Sequence, residues 1–485
     1  MVKSAAPDQQ GWLGPAFGLV AALTLWRVGL LWFNRLDLFV DEAQYWLWGQ
    51  ELAFGYYSKP PLIGWLIRAV TDLAGSDAPF WVRLPAPILH AVTALILGWC
   101  AARLFDARAG LIVAVGYATL PLVAVGSILI STDTVMFPAL ALSFALYLRL
   151  RDGAGSGVAA LCGVALGVAF LAKYAATYYL ICAAIAALFL PKSRLSARIA
   201  LTVLGAFSLT ILPNILWNVV NGFSTVQHTL DNADWVRDPG TRAGFNLAGL
   251  GSFIGAQFAV FGPICFGGFL WLILRLGRAG ERQRLLICFS LPILLVVSVQ
   301  AVLSGAYANW AASAYLAASI VVLPWLRPLW RWLSFGINGA VALALPVAGA
   351  FAPDLTLGRD QPLLARYLGR AALSRSIIDA AQAAGTPVIV STNRDLLADL
   401  FYTGRDSGLQ FFALAPAGRA PNHYALKYPW PGTDAAPVLF VTRRNTVAAC
   451  ADEAMKIGTV SPENGAYRGN SFHLFTVPGD CWAVR

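Results

Sequence analysis

A polytopic α-helical membrane protein with a smaller C-terminal α/β domain is the fold class that this sequence predicts, and three observations predict it. Hydrophobic residues fill 58% of the 485 positions and charged residues only 12%, with a mean hydropathy of +0.64. A soluble protein carries about 25% charged residues. Lys and Arg collect in short clusters at every second connection between apolar runs, and near Pro353 the composition turns polar. The net charge of +10 thus follows the positive-inside pattern and argues against a nucleic-acid-binding face.

Runs of about 20 apolar residues, the length that crosses a bilayer, number about eleven. They lie at roughly 12–33, 85–104, 108–126, 133–150, 156–172, 174–190, 198–217, 247–274, 284–303, 308–326 and 331–350. The first has no Ala-x-Ala site behind it and reads as an uncleaved span. The runs on either side of Lys173 are two spans or one broken, re-entrant hairpin. Arg103 and Arg108, Arg149 and Arg151, Lys192 to Arg198, Arg275 to Arg284, and Arg327 and Arg331 mark one side, expected to be cytoplasmic. The N-terminus is then inside. The loops at 34–84 and 218–246 and the C-terminal domain are then outside. The expected division is a membrane domain over 1–352 and a soluble domain over 353–485.

Within the C-terminal region a helix is predicted at 360–384, a strand at 386–392 and a helix at 394–402. Strands follow at 409–414, 437–444 and 472–477, with a helix over 446–456 between the last two. Strands alternating with helices suggest one α/β core. Cys100, Cys162, Cys182, Cys265 and Cys288 fall in apolar spans and read as packing residues. Cys450 and Cys481 either form a disulfide in an oxidising compartment or stay as two buried thiols. No Cys-x-x-Cys or Cys/His cluster suggests zinc. There is no internal repeat of the kind that favours a transporter.

The chemistry concentrates between Phe39 and Trp65, FVDEAQYWLWGQELAFGYYSKPPLIGW. Asp41 and Glu42 follow an apolar span, where carboxylates are costly without a task. Neighbouring helical residues point about 100° apart, so the two divide between facing a cavity and capping a helix, or both cap it. Tyr56 to Pro61 is a stiff, extended segment in which Pro60 keeps Lys59 out of the helical region. Lys59 either meets an anionic group or snorkels to the interface. Asp133, in SILISTDTVMF, is a helix cap or a second outward-facing carboxylate. Lys173 interrupts an apolar stretch on the same predicted face, as a phosphate contact or a snorkelling side chain. Asn218, Asn221 and His228 suit a sugar-lined cleft or a packed loop, and His90 reads as a hydrogen-bonded structural residue. No Walker, dinucleotide, G-x-S-x-G or HExxH motif is present, and scattered His argue against a His-based metal site.

Together DEAQYW, GYYSKPPLIGW, the Ser-x-Asp ending at Asp133, the Ala-Lys-Tyr around Lys173 and the NWAASAY run at 309–315 resemble one family. It is the bacterial GT-C glycosyltransferases related to the protein O-mannosyltransferases and the lipid A aminoarabinose transferase. The resemblance extends over nearly the whole layout and implies a GT-C-like membrane fold. It implies transfer of a sugar from a polyprenyl-phosphate donor to a lipid or envelope-glycan acceptor of lipid A or lipopolysaccharide type. The site would lie on the periplasmic face of the bacterial inner membrane. It makes Asp41, with Glu42 and Asp133, the catalytic carboxylates, and places Lys59, Lys173 and Tyr57 at the donor phosphate. Lysines neutralising the phosphate leave no cofactor required, although a divalent metal is compatible with the chemistry. The aminoarabinose transferases often carry Glu before the lysine, whereas Ser58 stands here, so neither a metal ligand at that position nor that sugar specificity carries over. Alternatives are a protein O-glycosyltransferase and a lipid or sugar transporter or flippase.

Overall fold

Six helices among the described residues are long and apolar enough to cross a membrane. They are Leu13–Trp32, Pro79–Leu104, Thr132–Arg151, Ala197–Val220, Glu281–Leu303 and Pro328–Ala350. Four shorter apolar helices accompany them: Ala107–Ala118, Ser156–Ala172, Tyr174–Phe189 and Ala314–Trp325. The chain is therefore a polytopic helical membrane protein. The computed structural model describes residues 11–232, 245–356, 358, 361–416, 418–432 and 435–482, so residues 233–244 of the expected second outer loop lie outside it.

The run expected as one span at 247–274 is two helices, Leu247–Val260 and Pro263–Leu274, bent by 118°. Gly262 sits at the break with φ of +86°, a conformation that side chains other than glycine's resist. Pro263 then opens the second helix, where its missing N–H costs nothing. A similar break, at Leu120 before Pro121, divides the run expected at 108–126 into Ala107–Ala118 and Pro121–Gly126.

The chain forms two compact units. The first comprises Met1–Trp32, Ala53–Leu66 and Arg83–Val347; the second comprises Phe33–Leu52, Ile67–Val82 and Ala348–Arg485. The second is built on a five-stranded sheet of β1 (Val388–Ser391), β2 (Gln410–Ala413), β3 (Pro437–Thr442), β4 (Met455–Val460) and β5 (Phe472–Pro478), in the order β2-β1-β3-β5-β4. β1 runs parallel to β2 and β3, whereas β5 is antiparallel to β3 and β4. Alternate strand residues serve opposite faces. Ile389, Leu439 and Leu474 join the helix Arg370–Ala383 in one core, while Val390, Phe440 and Phe475 surround Trp430 in another.

Two expectations for this region are corrected. The helix predicted over 446–456 is a short turn, Ala448–Cys450, followed by β4. The helix predicted from 360 begins at Arg370, because Gly369 takes a left-handed φ of +79° and Asp37 caps the helix from afar. The Asp37 Oδ2 accepts from the backbone N–H of Arg370 at 2.8 Å and of Ala371 at 3.4 Å. Cys450 and Cys481 are joined in a disulfide.

Candidate functional site

The segment carrying Lys59 is held by side chains that donate hydrogen bonds to its backbone carbonyls. Asn214 Nδ2 donates to the Phe54 carbonyl at 2.6 Å, Thr225 Oγ1 to the Tyr56 carbonyl at 2.7 Å, and Trp65 Nε1 to the Ala53 carbonyl at 2.9 Å. Gly55 lies directly against the Trp217 ring, in space that any Cβ would occupy. Such anchoring fixes a loop without regular structure of its own. Pro60 and Pro61 then lead into the helix Leu62–Ala74.

Lys59 and Lys173 line one cavity of about 670 Å³ in the first unit. Its polar wall also carries Ser58, Tyr174 and Thr177. The helix Leu291–Leu303 supplies a mainly apolar wall through Leu295, Val296, Val299 and Leu303, with Gln300 as its polar member, and Trp310 also lines the cavity. Those four aliphatic side chains are themselves exposed. An ammonium group beside an open apolar wall matches an amphiphilic anion: the charge meets the cation and the chain covers the hydrocarbon.

Lys173 is where the helix Ser156–Ala172 stops, in extended backbone, before the turn Tyr174–Thr177. Its Nζ donates to both carboxylate oxygens of Asp133 at 2.8 Å. Asn309 Nδ2 donates to the same carboxylate at 3.0 Å. The cap of the Asp133 helix is Ser131, whose hydroxyl accepts from the Thr134 N–H at 3.3 Å, so Asp133 is left for Lys173. Two further asparagines complete this polar layer. Tyr174 Oη donates to Asn214 at 3.1 Å and accepts from Asn218 at 3.3 Å. Asn218 thus belongs to packing behind the cavity, and Asn221 bonds its own helix at the Trp217 carbonyl.

Tyr57 is buried, with its ring 4.9 Å from that of His228, and is not part of the cavity wall that holds Lys59. His90 is buried and hydrogen-bonds Thr134 at 3.3 Å and Tyr117 at 3.4 Å, a structural role. Among the described residues no three His, Cys, Asp or Glu side chains converge as a metal site would require.

Asp41 and Glu42 belong to the second unit, on the helix Val40–Gln50. Glu42 is 2% exposed and accepts from the Phe39 N–H at 2.9 Å. It occupies the capping-box position at the helix start; its geometry there is that of a cap. Asp41 is about half exposed and pairs with Arg394, Nη2 to Oδ1 at 2.6 Å. Gln44, one turn on, accepts from the same guanidinium at 3.0 Å. Burial works against the Arg394 charge, but the Asp41 carboxylate outweighs it and raises the guanidinium pKa. Arg394 opens the helix Arg394–Thr403 behind the cap Asn393. A second contact brings the two helices together: the Trp46 and Tyr402 rings meet edge to face at 5.1 Å, and both residues bond Asp77.

Arg394 and Asn309 are the site residues that sequence reasoning missed. Asn309 opens the NWAASAY run, and a polar side chain at a span entrance was its available signal. Arg394 had none, being 353 positions from Asp41.

Comparison with known proteins gives concordant results. Residues 58–217 match the family described as dolichyl-phosphate-mannose-protein mannosyltransferase. The chain is 39% identical over 481 residues to the lipid A galacturonosyltransferase RgtD of Rhizobium johnstonii, covering 97% of this chain and 100% of that protein. It is 28% identical over 295 residues to the lipopolysaccharide core galacturonosyltransferase RgtB of the same organism, covering 58% of this chain and 59% of that one. Among solved structures, ArnT from Cupriavidus metallidurans in the apo state superposes with a TM-score of 0.60 at 13% identity, covering 98% of this chain and 99% of that chain. ArnT bound to undecaprenyl phosphate superposes with a TM-score of 0.59 at 13% identity, covering 96% of this chain and 98% of that chain.

Proposed function

The chain belongs to the GT-C glycosyltransferases of the protein O-mannosyltransferase and lipid A aminoarabinose transferase type, and we propose that within them it moves a galacturonosyl residue from a polyprenyl-phosphate carrier to lipid A. The observation that carries this reading is the cavity that sets Lys59 and Lys173 beside an open aliphatic wall. A polyprenyl-phosphate sugar cannot leave the bilayer, so its site must offer hydrocarbon for the chain and a cation for the phosphate. The uronic acid and the lipid A acceptor are taken from the full-length relative's name.

In this reading an acceptor hydroxyl oxygen attacks the anomeric carbon. The bond from that carbon to the phosphate oxygen breaks, and its electron pair leaves on polyprenyl phosphate. The Lys59 ammonium stabilises the phosphate charge. Asp41, the carboxylate of the DEAQYW motif, takes the acceptor proton. Single displacement inverts the anomeric centre. Asp133 holds the Lys173 ammonium at the cavity wall, with Asn309 behind it. Tyr57 and Glu42 support this arrangement, the first by packing its loop and the second by capping the Asp41 helix. The basic loops face the cytoplasm, and the second unit and the chemistry face the periplasm of the inner membrane.

The test is donor binding and transfer by the purified protein in detergent. Lys59→Ala should weaken binding of the polyprenyl-phosphate donor about 10-fold or more, the loss of one charge-assisted contact. Asp41→Asn should leave donor binding intact and abolish transfer. Unchanged donor affinity in Lys59→Ala contradicts the phosphate assignment, and full transfer by Asp41→Asn contradicts the base. Transfer to a Ser/Thr peptide in place of lipid A would favour a protein acceptor.

A further inference from the structure

A second polar cavity, of about 540 Å³, lies in the first unit away from the donor site. The end of the helix Pro85–Leu104 brings Arg103 to it, the end of Thr132–Arg151 brings Arg151, the turn Pro191–Ser193 brings Lys192, and the helix Glu281–Cys288 brings Arg282. Two carboxylates answer these four cations. Asp152 pairs with Arg103 at 2.5 Å. Glu281 is shared between Lys192 at 2.9 Å and Arg151 at 3.5 Å. Among the described residues no carboxylate pairs with Arg282, and the Nε of the largely buried Arg151 has no hydrogen-bond partner. The cavity therefore has a surplus of positive charge and an unmet buried donor, which an anion would satisfy.

Its depth in the membrane follows from the helices that frame it. Asp133 and Arg151 are 18 residues apart on one helix, about 27 Å at 1.5 Å per residue, close to the roughly 30 Å of a bilayer's hydrocarbon. The Asp133 end of that helix serves the donor cavity, so the basic cavity lies at the opposite interface. Tryptophan marks the same level. Arg103 stacks over Trp99 at 5.4 Å, and nearby in sequence to Arg282, Arg275 stacks over Trp271 at 4.3 Å, with both indoles partly exposed. Tryptophan and arginine together are the side chains of the headgroup region.

We propose that this cavity, at the basic-loop ends of the helices, binds the phosphodiester headgroup of an anionic phospholipid. Arg282 and Lys192 would meet the phosphate oxygens from the rim and Arg151 from within. The acyl chains would run out past the bilayer-facing helix ends. One consequence is mechanical: the span Glu281–Leu303 carries this cavity at one end and the apolar wall of the donor cavity at the other, so a lipid seated here braces the helix that the donor packs against.

Native mass spectrometry of the purified full chain tests this. The protein in detergent is titrated separately with cardiolipin, with phosphatidylglycerol and with phosphatidylcholine, and inorganic phosphate is added as a competitor. Both anionic lipids should be retained in preference to phosphatidylcholine. Arg282→Gln, a substitution at an exposed side chain, should lower that retention about fivefold, the worth of about 1 kcal/mol for one cation at the membrane surface. Arg284→Gln, on the same helix but outside the cavity, should behave as wild type. Equal retention of all three lipids, or an Arg282→Gln protein that retains anionic lipid as wild type does, overturns the proposal. Binding of inorganic phosphate without any lipid preference overturns it also, and assigns the cavity to a soluble phosphate.

Discussion

Lys173 and Asp133 form a nearly buried ion pair at the edge of a hydrocarbon region, with side chains 15% and 7% exposed. Removing one charge strands the other, at a cost of about 3–5 kcal/mol, whereas replacing both by apolar residues of similar size is often neutral. Asp133→Asn should therefore lower the melting temperature sharply, and the double variant Asp133→Leu/Lys173→Met should recover most of it, as read by thermal unfolding in detergent. Equal losses in the single and double variants would contradict the pairing. In the second unit two buried groups have opposing pH signatures. Burial pushes the Asp399 carboxyl up from 3.8 to about 7, even beside Arg370 and Tyr467. Burial likewise pushes His423 down from 6.5 to about 3. Between about pH 4 and 6.5 the folded state keeps a proton on Asp399 that the unfolded state has lost, so this group makes stability fall as pH rises. Over the same window the unfolded state binds a proton on His423 that the folded state refuses, so this group makes stability rise. Each slope is at most about 1.4 kcal/mol per pH unit, and in the wild type they oppose each other. Asp399→Asn should give a stability that rises with pH across the window, and His423→Gln one that falls. Melting curves at pH 4.5 and 6.5 decide; identical slopes in both variants would contradict these assignments.

Elements of the two units owe their order to different forces. The disulfide between Cys450 and Cys481 closes a loop with a sequence separation of 31, and loops of that size lose about 3–4 kcal/mol of stabilisation when opened. Cys450→Ser should lower the unfolding free energy of the second unit by that amount, measured by denaturant melts with and without reductant. A variant as stable as the oxidised protein would show that the bridge contributes nothing. The long spans were legible from sequence because their length and apolar composition are set by the bilayer itself. The break at Gly262 was not, since a left-handed backbone needs a glycine but a glycine does not announce one. β4 was hidden for another reason. Met455 and Ile457 are exposed and of its apolar side chains only Val460 packs on the core, so the strand carries little apolar signal and is held mainly by its antiparallel pairing with β5. Asp41, Glu42, Lys59, Asp133 and Lys173 were visible as charges in costly places. Their partners were less so: Asn309 meets Asp133 from 176 positions away and Arg394 meets Asp41 from 353. No local pattern encodes such pairs, because only the folded helices bring them together.

At the scale of the whole molecule, the first unit is a membrane device with a cavity at each end of the Thr132–Arg151 helix: one pairs lysine with hydrocarbon, the other gathers arginine. The second unit holds Asp41 against Arg394 and carries the sheet. The family supplies the glycosyltransferase activity, and the proposal of a lipid-phosphate donor rests on the lysine-lined cavity. The most direct measurement is transfer by the purified full chain from a synthetic polyprenyl-phosphate galacturonic acid to lipid A, followed by mass spectrometry of both lipids. Transfer from the polyprenyl carrier predicts lipid A heavier by one uronic acid residue, one equivalent of free polyprenyl phosphate, and loss of both with Lys59→Ala at limiting donor. Unmodified lipid A in the presence of intact donor, or modification from a nucleotide sugar without any polyprenyl carrier, would contradict it.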